Sequence, residues 1–127
     1  MLKGIHHVAI IVTDMERSLD FYHRALGLPV LADTWRAERS SRKTDLSLPD
    51  GGQLELFTFP GSPTRPSRPE ANGLRHLAFA VDCADTVRRA LMARGVACEP
   101  IRLDTLTGRR FFFCSDPDDL PLEFYES

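Results

Sequence analysis

The chain has 127 residues, 43% of them hydrophobic and 27% charged, with a formal net charge of -2. That length favours a single domain with a real core, and the near-neutral balance gives no electrostatic reason to expect nucleic acid or an anionic membrane as a partner. No apolar run approaches the roughly 20 residues that span a bilayer.

The N-terminal stretch MLKGIHHVAIIVTD runs into a strand-like alternation over residues 5–12, with no cleavable signal pattern. "TDME" at 13–16 follows, a capping-box signal with Thr13 as cap and Glu16 three residues on. Met15, Leu19, Tyr22 and Leu26 then fall on one helical face, and Gly27 is a natural stop. Strand-like stretches come next near 29–38, 43–49 and 53–59, the last two joined by Asp50-Gly51-Gly52 as a hairpin turn. PGSPTRPSRPEAN, residues 60–72, holds enough proline to forbid helix and reads as a semi-extended linker.

After the linker the order repeats. A strand covers 74–81, and a helix covers 84–94 with Val87 and Leu91 inward and Gly95 at its end. Strands follow near 97–104, 109–114 and 120–125. The expectation is an α+β fold of two βαβββ modules, with antiparallel sheets and the helices on one face. Module one spans 4–59 and module two 73–126, within one domain over 4–126. Cys83, Cys98 and Cys114 form no CxxC pair, which argues against a disulfide framework or a zinc knuckle and suits reduced thiols in a cytoplasmic protein.

The repeat carries chemistry as well as architecture. Laying "GLRHLAFAV" (73–81) over "GIHHVAIIV" (4–12) pairs Gly4 with Gly73, His7 with His76, Ala9 with Ala78 and Val12 with Val81. Near the module ends Pro49-Asp50 matches Pro117-Asp118, and Leu54-Glu55-Leu56 matches Leu122-Glu123-Phe124. Strand alternation puts His7, Ala9 and Ile11 on one face and Val8, Ile10 and Val12 on the other; His76, Ala78 and Ala80 likewise oppose Leu77, Phe79 and Val81. Glu55 and Glu123 point away from their leucine and phenylalanine neighbours. Glutamate is disfavoured in mid-strand and is rarely buried without a partner, so two at matched positions need a cause. If the modules join about a pseudo-two-fold axis, His7, Glu55, His76 and Glu123 could converge as an N2O2 set for one divalent ion, which if six-coordinate keeps two positions for water or substrate.

These stretches, with "HHVAIIVTDMERSLDFYHRALGL", "LELF" and "DPDDLPLEFYE", resemble the vicinal oxygen chelate superfamily over nearly the whole chain, most closely its glyoxalase I-like members. The resemblance implies paired βαβββ modules in a half-open cup around a metal, with His7, Glu55, His76 and Glu123 as ligands. It implies one divalent ion per site, with zinc, nickel, manganese, cobalt and iron all open. The implied activity is that of a lyase or isomerase on a small oxygen-chelating substrate, with Glu123 as the base that moves a proton and Glu55 as its partner. A homodimer is the implied assembly. A drug-binding protein of bleomycin-resistance type and a ring-cleaving dioxygenase are the alternatives. A fourth protein ligand leaves fewer open positions than the dioxygenase triad and favours redox-neutral chemistry. Glutathione-using relatives typically carry Arg where this chain has Ile11 and often Asn where it has Phe59, so glutathione hemithioacetal is not the expected substrate.

Other residues read more plainly. His6 and His23 lack repeat partners and are expected on the surface, and Asp116 and Asp118 are expected to shape the last turn. Among Arg36, Arg39, Arg42, Lys43, Arg65, Arg68 and Arg75, one or two are candidates for a substrate carboxylate or phosphate, although Arg75 points to the face opposite His76. Phe111-Phe112-Phe113 is expected to be chiefly core, with Phe111 or Phe113 lining the cavity.

Overall fold

A computed structural model describes all residues, 1–127. In the first half, β1 (His7–Ile11) leads to α1 (Met15–Leu19), which continues as a π-helical segment (Asp20–Ala25). Then come β2 (Val30–Arg36), a 3-10 turn (Ala37–Arg39), β3 (Ser41–Ser47) and β4 (Gln53–Phe57). The second half runs β5 (Leu77–Val81), α2 (Ala84–Ala93), β6 (Arg102–Leu103), β7 (Arg110–Ser115) and β8 (Pro121–Glu126). Each half is therefore a βαβββ module. The chain divides into two units, Met1–Pro63 and Thr64–Ser127.

The two sheets share one topology, β1-β4-β3-β2 and β5-β8-β7-β6. They are mixed rather than antiparallel. β1 pairs parallel to β4, and β5 parallel to β8, while the later strands pair antiparallel. The first strand of each module is followed by a helix, and such a crossover returns the chain to a parallel neighbour.

The period-2 pattern decides which face is buried. Ile10, Val12, Leu46, Leu54 and Leu56 are buried in the first unit with Met15, Leu19, Phe21, Tyr22 and Ala25 of the helical segment. Phe112, Cys114, Leu122 and Phe124 are buried in the second with Ala84 and Leu91. Each fully buried leucine or phenylalanine contributes about 1.5–3 kcal/mol of transfer free energy. The other face of each sheet stays open: His7, Ala9 and Ile11 are exposed, as are Ala78 and Ala80.

Local details differ from the sequence reading. The cap of α1 is Asp14, whose carboxylate accepts from the Arg17 amide at 3.2 Å, so Thr13 lies one residue outside the helix. The helix widens after Leu19, with the Leu26 amide bonding to the Phe21 carbonyl at 2.9 Å. Adjacent Phe21 and Tyr22 are both buried, edge to face with centroids 5.0 Å apart. The strand expected over 97–104 shrinks to Arg102–Leu103 plus an isolated bridge from Cys98 to Cys114, because Pro100 has no amide to donate to the ladder. The repeat extends to backbone conformation. Gly51 in the turn before β4 and Asp119 before β8 both take positive φ, at 95° and 67°. Buried Asp116 holds its turn with one oxygen, accepting from the Asp118 and Leu120 amides at 2.9 and 2.8 Å.

Candidate metal centre

Parallel pairing places the polar interruptions side by side. In the first unit Ala9 is the register partner of Glu55, and His7 lies two residues earlier on the same face. In the second, Ala78 partners Glu123 and His76 lies two residues before it. The small alanine beside each glutamate leaves room for the imidazole to lean across. His7 Nδ1 lies 3.6 Å from Glu55 Oε2, and His76 Nε2 lies 3.2 Å from Glu123 Oε1.

These separations are informative. Two donors bound to one ion at about 2.1 Å, with a ligand–metal–ligand angle between octahedral and tetrahedral, stand roughly 3.0–3.4 Å apart. The His76–Glu123 pair has the spacing of neighbouring ligands, the His7–Glu55 pair stands slightly wider, and nitrogen with oxygen donors suits a borderline divalent ion. His76 also carries a buried Nδ1 with no hydrogen-bond partner. Its ring stands perpendicular to Phe113, with centroids 5.1 Å apart. A neutral imidazole has one donor and one acceptor nitrogen. With Nδ1 unpartnered, the only polar neighbour of His76 lies on the Nε2 side, at Glu123. His76 with Glu123 fits a divalent ion as the pair stands, and His7 with Glu55 would have to draw slightly closer to share one. No three or more His, Cys, Asp or Glu side chains gather into one group that could hold an ion; the donors come in twos.

The pairs are not equivalent, and the difference comes from the neighbouring strand. β3 places Asp45 opposite Glu55, and Lys43 shares that face. The Lys43 ammonium donates to Asp45 Oδ1 at 2.7 Å and stands 3.7 Å from Glu55 Oε1. Its pKa is raised, first by the hydrogen bond to Asp45 and then by the charges of Asp45 and Glu55, against the opposing effect of burial. Glu55 thus has one oxygen towards lysine and the other towards His7. β7 instead puts Phe113 opposite Glu123 and Phe111 opposite Tyr125. Phe111 stacks on Tyr125 with centroids 6.1 Å apart, and the Tyr125 hydroxyl donates to Asp104 Oδ2 at 2.9 Å. That bond is the largest of the causes that lower the Asp104 pKa.

Sequence reasoning undervalued some residues and overvalued others. His6 shares a 2.9 Å hydrogen bond with His7 through their Nδ1 atoms, so it touches the candidate ligand. His23 is half-buried and donates from Nδ1 to the Leu28 carbonyl at 2.7 Å, which ties down the end of the helical segment. Of the aromatic run, Phe112 is core, and Phe111 and Phe113 share the face of Glu123. Arg42, Arg65, Arg68 and Arg75 are all taken up by carboxylates. The three cysteines are free thiols; burial pushes the Cys114 thiol up to about 12, which makes it a poor nucleophile. No helix is long and apolar enough to cross a membrane.

The family model for the glyoxalase/bleomycin resistance protein/dioxygenase superfamily matches residues 4–124. YwkD of Bacillus subtilis is 54% identical over 126 residues, covering 99% of this chain and 98% of that protein. YaeR of Escherichia coli is 51% identical over 125 residues, covering 98% and 97%. A crystal structure of a glyoxalase family protein from Enterococcus faecalis superposes with a TM-score of 0.92 at 44% identity, covering 98% of both chains.

Proposed function

Since the chain belongs to the glyoxalase/bleomycin resistance protein/dioxygenase superfamily, we propose that it is a divalent-metal-dependent lyase or isomerase, which acts on a small oxygen-chelating substrate by carboxylate-assisted proton transfer. The observation that carries this reading is the doubled His–Glu pair, built twice on one register with donors 3.6 and 3.2 Å apart. The proposed ligand set is His7, Glu55, His76 and Glu123, and the proposed working assembly is a homodimer. The ion, when bound, supplies Lewis-acid polarisation of a substrate oxygen and stabilises the charge that develops there.

The chain's own residues do the rest. Glu123 takes the proton from the carbon next to the polarised carbonyl and returns it. Its strand neighbour is Phe113 rather than an acid or a base, so no ammonium competes for its lone pairs. Phe113 also flanks His76 and limits the positions its ring can take. Glu55, held by Lys43 on one oxygen, is chiefly a ligand and orients the substrate. Ala9, Ala78 and Ala80 keep the open faces free of bulk.

The aromatic face formed by Phe111, Phe113 and Tyr125 also suits simple sequestration of a flat molecule, as in a resistance protein. One experiment separates the readings: solvent deuterium incorporation into a panel of small 2-oxo and 2-hydroxy compounds, with oxygen uptake followed in parallel. The proposal expects metal-dependent exchange at the carbon beside the carbonyl without oxygen uptake. Tight binding with no exchange supports sequestration, and oxygen uptake supports ring cleavage.

A further inference from the structure

We infer that Arg36 is the anion-binding group of the open face of the first unit, so that the substrate carries a carboxylate or phosphate beside its chelating oxygens. This assignment rests on the functional reading above for the identity of the ligand, but the binding group itself is argued from charge and geometry alone.

Arg36 ends β2, and its guanidinium carbon stands 5.3 Å from the centre of the Phe57 ring. Phe57 lies two residues after Glu55 on the same face of β4, about 7 Å along the strand. The ring is stacked on Phe59, with centroids 5.9 Å apart and planes 6° from parallel. Two aromatic rings thus make a platform next to the ligand carboxylate, and the guanidinium rests on it.

The other cations of this sheet are satisfied. Arg42 is held by Asp33 and Glu16, and Lys43 by Asp45 with Glu55 close by. Arg36 has the cation–π contact and no carboxylate or hydrogen-bond partner. The second unit makes a useful contrast. There Arg102 lies over Phe111 and Phe113, 5.2 and 5.3 Å from their centres, but Glu99 stands 3.7 Å from it. Arg39, three residues on, is an exposed turn residue with no aromatic support. A half-buried guanidinium pre-oriented on aromatic carbon, with its donors unspent, is the chemistry that binds an oxyanion in a forked geometry. Its place on the Glu55 face ties that anion to whatever the carboxylate helps to bind.

The test uses the whole chain. With the metal-free protein, inorganic phosphate and acetate are titrated separately while the arginine Nε–H and Phe57 ring resonances are followed by NMR. Saturable shifts at Arg36 and Phe57 are expected, and the stronger of the two anions identifies phosphate or carboxylate as the preferred group. Arg36→Met should weaken binding about ten- to a hundredfold, Arg36→Lys less, and Arg39→Met should leave it unchanged. The absence of a saturable shift at Arg36, or equal losses in Arg36→Met and Arg39→Met, overturns the assignment. With the metal-loaded protein, the neutral chelator acetohydroxamate is compared with succinohydroxamate and phosphonoacetohydroxamate by calorimetry. One charged chelator should bind at least tenfold more tightly than the neutral one, and Arg36→Met should abolish that advantage without changing acetohydroxamate affinity. If acetohydroxamate fails to bind while the simple anions still act at Arg36, the metal-enzyme reading falls and the anion site stands. If all three chelators bind equally, the link between Arg36 and the substrate is wrong.

Discussion

The Lys43 ammonium stands 3.7 Å from Oε1 of Glu55, while the other oxygen of that carboxylate faces His7. The lysine therefore holds one oxygen of the carboxylate and leaves the other for the proposed ion, near which it adds a like charge. Lys43→Met should tighten divalent-ion binding by up to about tenfold, from the removed repulsion, and should lower turnover because Glu55 is freer to rotate. Calorimetric titration of the metal-free variant with cobalt checks the sign; weaker binding than wild type would make Lys43 an organiser of the ligand rather than a restraint on it.

Glu123 and Glu55 should separate by function. Glu123→Gln keeps size and an oxygen but removes the base, so turnover and substrate deuterium exchange should fall by about 10²–10⁴ in metal-loaded protein. Glu55→Gln should chiefly weaken metal binding and cost less in rate at saturating metal. Unchanged exchange in Glu123→Gln would remove that residue from proton transfer.

Arg42 joins helix to sheet. It donates to both oxygens of Asp33 at 3.0 and 2.6 Å and to Glu16 of α1 at 2.7 Å. The hydrogen bond from Arg42 holds the Asp33 carboxyl below its ordinary value of 3.8. Arg42→Ala should cost about 1 kcal/mol near neutral pH, a figure that allows for solvent screening of a partly exposed pair. A lowered carboxyl pKa stabilises the fold above the unfolded value and ceases to do so as pH falls through the folded one. The gap between wild type and variant, measured by urea unfolding, should therefore be full at pH 6 and shrink below pH ~3.8.

The register of the candidate site was legible because it is repeated: His7 with Glu55 and His76 with Glu123 lie at nearly equal offsets, 48 and 47 residues, and strand alternation assigns their faces without a structure. The asymmetry between the two pairs was hidden. Lys43 and Phe113 acquire their meaning from lateral pairing of β3 with β4 and β7 with β8, a relation between strands that no local pattern encodes. The parallel pairing of β1 with β4 was missed for the same reason. At the helix start, Thr13 and Asp14 both satisfy the cap preference, and only the backbone of Asp14, extended at φ -137°, shows which one acts.

In the proposed function His7, Glu55, His76 and Glu123 together hold one divalent ion. The most direct measurement is cobalt titration of metal-free protein, followed by visible absorbance and by bound cobalt per chain, for wild type and for His7→Ala, Glu55→Ala, His76→Ala and Glu123→Ala. One ion per chain is expected in wild type, with a loss of at least about tenfold in affinity and an altered cobalt spectrum in each of the four variants. Wild-type affinity and spectrum in His7→Ala or His76→Ala would contradict it.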